Sequence, residues 1–245
     1  MTDVDGWDRV HELIAAEQPD PAGAHGMLGL LQRLCAAAVR ALSASGAGVS
    51  VMTEEGLRGL AVASDQASER IDELQFSLGE GPCMDAFSSS RPVLEPDLGS
   101  GGIARWPIYS AAAHAEGVRA VFAFPLQIGA ARLGVLDLYR DEPGSLSSQQ
   151  FSQALTFADV ATTMLIDGQE QAPTGAAAEG LDDVFDYRAE VHQAQGMVMV
   201  QAAVSLAEAL ALLRAHAFGH ARGLGEVARD VVTGTLRIGE ATGEE

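Results

Sequence analysis

"VRAVFAFPLQIGAARLGVLDLYR", residues 118–140, contains two runs rich in β-branched and aromatic residues, "VRAVFAFPL" (118–126) and "RLGVLDLYR" (132–140). The intervening "QIGA" carries a glycine and has hairpin length, so the two runs read as an antiparallel pair. Upstream, "AGVSVMT" (47–53), "RGLAVAS" (58–64) and "RPVLEPD" (91–97) supply further short strands. Ahead of the first of them, "MLGLLQRLCAAAVRALSA" repeats apolar residues at helical spacing, with Leu28, Leu31, Cys35, Val39 and Leu42 on one stripe. After residue 140, Ser147 or Ser148 offers an N-cap to a helix carrying Phe151, Leu155, Ala158, Thr162 and Leu165 at steps of three and four. A sheet bracketed by two long helices follows, an α+β domain.

Periodicity stops in "DGQEQAPTGAAAEG" (167–180), which gathers Gly168, Pro173, Gly175 and Gly180 and reads as a linker. Everything beyond it is helical. Val184, Tyr187, Val191, Ala194 and Val198 follow the alternating three-and-four steps of a coiled-coil seam, which predicts pairing with a second protomer or with the next two helices. "SLAE" (205–208) is a capping-box pattern opening a helix with Leu206, Leu210, Leu213 and Ala217 on its stripe. A third helix carries Leu224, Val227, Ala228, Val231 and Val232 at the spacing of one buried face. The expected division is residues 1–23 as an N-terminal extension, 24–168 as the α+β domain, 169–180 as linker, and 181–245 as a three-helix domain with a short acidic tail.

Composition narrows the function classes. The 245-residue chain carries a formal charge of −19 and no lysine; every fixed cation is an arginine. That balance argues against a generic nucleic-acid coat and leaves a local basic face as the route to phosphate binding. No run approaches the ~20 apolar residues of a membrane helix. The acidic start "MTDVDGWDRV" lacks the order of a secretory signal, so the expected location is the cytoplasm. Cys35 and Cys83 stand far apart without a second Cys or His at ligand spacing, so sequence spacing indicates neither a disulfide framework nor a metal site, and no cofactor is indicated.

Three places carry candidate chemistry. In "LGEGPCMDAF" (78–87) a tight turn leads Cys83 into a helix N-terminus. The thiol reads either as a redox or electrophile sensor or, following the burial tendency of free cysteine, as a small core residue. "GEGPC" lacks the ending of a phosphate loop. "DLGSGGIARWP" (97–107) ends in Arg105 and Trp106, which either flank a ligand pocket or anchor the loop to the sheet, the second being favoured by Pro107 as a helix start. In the last domain Arg188, Arg214, Arg222, Arg229 and Arg237 offer forks for phosphate, and Gln193 and Gln195 offer amides for base edges; the competing reading is a solvated surface where Glu190, Glu208, Glu226 and Asp230 pair with those arginines. His216 and His220 lack a third ligand, and no G-x-S-x-G elbow exists, so no catalytic residue is indicated.

"RAEVHQAQGMVM", "SLAEALALLRAHA" and "LGEVARDVV" resemble an ANTAR domain, the helical RNA-binding output module of bacterial antitermination regulators, over about 181–238. Ala194, Gly196, Ala209, Leu213, Arg214, Ala217, Leu224, Val227 and Ala228 stand in the family's places, and Gln195 stands where lysine is usual. "GEGPCMDAF", "DL", "RWP" and "GVRAVFAFPLQIGAARLGVLDLYR" resemble a GAF domain over 24–168. The resemblances imply a six-stranded antiparallel sheet with flanking helices that senses a small-molecule or protein signal. They further imply a homodimeric output unit that binds paired stem-loops in nascent leader RNA and prevents a terminator from forming. On that reading Arg188, Arg214, Arg222 and Arg229 contact phosphates or loops, Gln195 and Gly196 lie near RNA, and Phe218 stacks on a base or packs in the core. Three rivals are a protein-interaction regulator whose bundle does not bind RNA, a thiol enzyme that reduces oxidised free methionine on a GAF fold, and a DNA-binding helix-turn-helix protein. The second lacks a thiol partner for Cys83, and the third would expose Glu226 and Asp230 beside Arg229.

Overall fold

The computed structural model describes residues 4–18, 25–52, 58–171, 189–220 and 222–238. The chain divides into two compact units, Met1–Phe76 with Glu80–Asp182 and Ser77–Gly79 with Asp183–Glu245. In the first, helices α1 (Val4–Ala15) and α2 (Gly26–Leu42) lead into strands β1 (Gly46–Met52) and β2 (Arg58–Ala63). Helices α3 (Gln66–Leu78) and α4 (Pro82–Ser89) precede β3 (Val93–Glu95), a wide helical turn through Leu98–Gly102 and Ile103–Arg105, and α5 (Pro107–Ala115). Strands β4 (Ala120–Ile128) and β5 (Ala131–Arg140) and the long α6 (Ser148–Gln171) complete it.

All strand pairs are antiparallel, in the order β2-β1-β5-β4-β3. The described residues thus form five strands where the resemblance implied six. β4 and β5 are the expected hairpin, and it is tighter than "QIGA" suggested: Ile128 pairs with Ala131 across two residues, Gly129 taking φ +57°. Strand alternation gives the sheet two unlike faces. Phe122, Phe124, Leu136 and Leu138 turn to one side and are buried there, with the Phe124 ring 6.0 Å from that of Phe151 on α6. Leu31, Leu34 and Cys35 of α2 and Phe157 and Ala161 of α6 are fully buried in the same layer. The other face carries smaller and polar residues, Gly48 and Ser50 of β1, Ala123 of β4, and Asp137 and Tyr139 of β5.

Ser147, not Ser148, caps α6: its hydroxyl accepts the Gln150 N–H at 3.1 Å while the Gln150 side chain accepts the Ser147 N–H at 3.0 Å. α1 packs on α2 and α6, and Glu17 just beyond it pairs with Arg40. The residues expected as an extension therefore include a helix of the first unit.

The second unit holds three described helices, α7 (Ala189–Ala202), α8 (Leu206–Gly219) and α9 (Leu224–Val232). Their shared core is Val191, Ala194 and Val198 with Ala209, Leu213, Ala217, Leu224, Val227, Ala228 and Val231. The described part of the coiled-coil seam is thereby buried against α8 and α9; Val184 and Tyr187 lie outside the described residues. Ser205 and Glu208 close the expected capping box on α8.

Candidate functional site

Asp137 sits on β5, the middle strand of the sheet, and is 1% exposed. Its side of the sheet meets α3, which brings Asp72, also 1% exposed, and α4, which brings the fully buried Cys83. One oxygen from each carboxylate and the Cys83 sulfur all lie within 4.8 Å of one another. The surroundings hold these groups in place. The Ser50 hydroxyl donates to Asp72 Oδ1 at 2.7 Å, the Gln75 side-chain oxygen accepts the Cys83 N–H at 2.8 Å, and the Gln75 amide reaches the Tyr139 phenol oxygen at 3.5 Å.

The GEGPC loop explains how α4 is set. Gly81 takes φ +143°, and a Cβ there would lie 2.6 Å from the Gln75 oxygen that holds Cys83. Only glycine combines that backbone with that approach. Glu80 accepts the N–H groups of Ile108 and Tyr109, each at 2.8 Å, capping α5 from a distance, and Tyr109 is buried.

The electrostatics are those of buried negative charge. Burial pushes the Tyr139 phenol well above its ordinary pKa, with Asp137 and Asp72 adding to the rise. Burial likewise pushes the Cys35 thiol up to about 12, with Asp137 contributing. Two carboxylate charges at the 4.8 Å limit of this group repel by about 3 kcal/mol at an effective dielectric of ~20, and burying each costs several kcal/mol more. A cation held between the pair would offset part of that cost. Two carboxylates and a thiol are also metal-ligand types. Sequence spacing shows no metal motif because the three donors come from three elements and meet only in the fold.

In the helical unit the arginines lie among acids. Arg222 donates to Asp230 at 2.8 Å with Glu226 at 3.8 Å, and Arg229 pairs with Glu190 at 3.2 Å. Phe218, at the end of α8, is 62% exposed, as are Val200 at 74% and Leu206 at 53%.

Residues 24–166 match the family model of the GAF domain, more than half of the chain. The chain belongs to the GAF domain family. Residues 179–232 match the model of the ANTAR domain, so the protein is a signal-regulated ANTAR regulator with its sensor domain first. Among solved structures, the GAF domain from a phosphoenolpyruvate-protein phosphotransferase of Coxiella burnetii is 15% identical, covers 69% of this chain and 95% of its own, and superposes at a TM-score of 0.53. The corresponding domain from Acinetobacter is 14% identical, with 69% and 98% covered and a TM-score of 0.50. At these identities the likeness shows the fold alone. The free methionine-R-sulfoxide reductase from Neisseria meningitidis, 14% identical over 69% and 91%, superposes at only 0.48. No curated protein matches the chain.

Within the GAF domain, Cys83 is a buried thiol, but it faces two carboxylates rather than an apolar core. Trp106 is 2% exposed and donates from Nε1 to Asp85 at 3.2 Å; Arg105 stacks 4.2 Å above its ring and donates to the same carboxylate at 3.1 Å. Both anchor the Gly-rich loop to α4, so their polar groups are engaged with Asp85. Asp72, Asp137 and Gln75 escaped the sequence reading, since a lone Asp within a helix or strand pattern carries no spacing signal.

Within the ANTAR domain, Gln195 is 9% exposed and its amide donates to the Leu206 carbonyl at 2.7 Å. It therefore joins α7 to α8 instead of presenting an amide outward. A Cβ at Gly196 would meet nothing within 4 Å among the described residues. Arg188 lies outside the described residues, and Arg214 is half-buried on α8. Among the described residues no single helix is long and apolar enough to cross a membrane.

Proposed function

We propose that this GAF–ANTAR protein is a cytoplasmic, non-enzymatic antitermination regulator: its GAF domain senses a signal, and its ANTAR helices, as a homodimer, bind paired stem-loops in nascent leader RNA. The observation that carries the reading is the ANTAR match at 179–232, following the GAF match on one chain. The surface chemistry supports it. Phe218 offers an exposed ring on which an unstacked loop base can rest, and single-stranded loops are where proteins read RNA by stacking and edge contacts. Arg188, Arg214, Arg222 and Arg229 supply phosphate contacts, Gly196 lies on the helix that faces the RNA, and Gln195 acts by holding that helix to its neighbour.

The ion pairs of Arg222 and Arg229 set a condition on this function. Each cation must exchange a carboxylate for a phosphate, so RNA affinity is moderate and strongly salt-dependent. The same pairs, with the charge of −19, favour a second reading in which the bundle docks a protein.

Titration of the full chain with a two-hairpin leader RNA and a loop-scrambled control across a salt series separates the two. Loop-dependent binding that falls with salt is the expected result. Equal and weak binding of both RNAs at low salt would sink the RNA reading and leave the protein partner.

A further inference from the structure

The geometry points to a divalent transition-metal site inside the GAF domain, with Asp72 of α3, Cys83 of α4 and Asp137 of β5 as ligands. The inference rests on the GAF domain's own geometry. Only its use as the regulator's input depends on the function proposed above.

Ligands around one such ion lie roughly 2.0–2.3 Å from it, and so roughly 3–4 Å from one another. The three donor atoms, already all within 4.8 Å, need only a small inward shift to meet that spacing. This is not the common surface cluster of acids: no member is more than 1% exposed, and one of the three is a sulfur. The outer contacts also match what metal sites require, since ligands are held by hydrogen bonds of their own. Ser50 fixes one oxygen of Asp72, while Gln75 pins the backbone of Cys83 and reaches Tyr139. Ile71 and Tyr139 line a cavity of about 210 Å³ that opens to solvent, and none of the three ligands is among its lining residues.

The donor set selects the class of ion. Magnesium and calcium take oxygen ligands and have no use for the thiol. Copper(I) prefers sulfur and gains little from two carboxylates. Zinc and ferrous ions accept both donor types. On binding, the Cys83 S–H proton passes to solvent and the sulfur–metal bond forms, with no change of oxidation state. Three protein ligands leave a fourth position for water or an incoming small molecule, the arrangement of a responsive site rather than a closed structural one.

Cobalt(II) is the probe, because thiolate coordination gives it a near-ultraviolet charge-transfer band. Reduced full-length protein is titrated without air and then challenged with zinc. The expected result is one equivalent of cobalt per chain, a thiolate band that zinc abolishes, loss of the band in Cys83→Ser, and retention in Cys35→Ser. Asp137→Asn, nearly isosteric, is expected to weaken cobalt at least tenfold, and it decides the matter if Cys83→Ser does not fold. Absence of the band in folded wild-type protein overturns the site. Survival of the band in folded Cys83→Ser, or unchanged affinity in Asp137→Asn, overturns it equally. No RNA enters this measurement, so its failure leaves the antitermination reading standing, and failed RNA binding leaves the metal site standing.

Discussion

The side-chain amide of Gln195 donates to the main-chain carbonyl of Leu206 across 2.7 Å, from a position only 9% exposed. That bond closes the sharp passage from α7 to α8 from the inside. Replacing Gln195 with Leu removes this link between the two helices, at a cost of about 0.5–1.5 kcal/mol. Urea denaturation of the full chain, followed by far-ultraviolet circular dichroism, is expected to show an earlier transition; an unchanged one would mean that water replaces the amide at no cost.

The same passage contains Ala203 at φ +53°, the left-handed region that follows many helix C-termini. A Cβ is strained there, so Ala203→Gly is expected to stabilise the helical unit by up to about 1 kcal/mol. A mid-helix glycine would do the opposite, and the sign of the shift in urea midpoint distinguishes the two.

Gly81→Ala puts a methyl group 2.6 Å from the Gln75 oxygen and forces an L-residue to φ +143°. A loss of about 2 kcal/mol or more is expected from strain and from displacement of the Cys83 N–H bond. Thermal melting of the purified variant tests this, and an unaltered melting temperature would show that the loop has another conformation open to it.

Asp65 caps α3, accepting the Ser68 N–H at 2.9 Å. Partial burial acts to raise its carboxyl pKa, but hydrogen bonds from the Ser64 and Ser68 hydroxyls and the Ser68 and Ala67 backbone outweigh that and hold it below the ordinary value. A folded pKa below the unfolded one contributes stability that is present above the unfolded value, near ~4, and is lost as pH falls through the folded value. Asp65→Asn is therefore expected to flatten the acid limb of the stability profile below that pH. The same slope in both proteins would remove Asp65 from the account.

If RNA is the partner, the acids that pair with the arginines act as brakes on binding. Glu190→Gln releases Arg229 and removes one repulsive charge, so tighter RNA binding is expected, while Arg229→Ala weakens it and reduces the salt slope by about 1. Filter binding at several salt concentrations measures both. Equal affinities for the two variants would exclude Arg229 from the interface.

The amino-acid sequence by itself determined the elements whose information is local. Alternating β-branched runs around a glycine announced the β4–β5 hairpin, three-and-four spacing announced α2, α6 and the three ANTAR helices, and Ser205 with Glu208 announced the cap of α8. The helix α1 was missed although Trp7, Val10 and Ile14 stand at helical spacing, because the acids around them gave the segment the look of a solvated extension. What only the tertiary structure decided is which polar side chains turn inward together. Asp72, Cys83 and Asp137 stand on three different elements, and nothing in their individual contexts distinguishes a buried aspartate from a solvated one. Gln195 likewise looks like a surface amide on a helix until α8 folds back and offers it the Leu206 carbonyl. Periodicity records which face of an element is buried, whereas a site depends on which buried faces meet, and that is set by the packing of several elements at once.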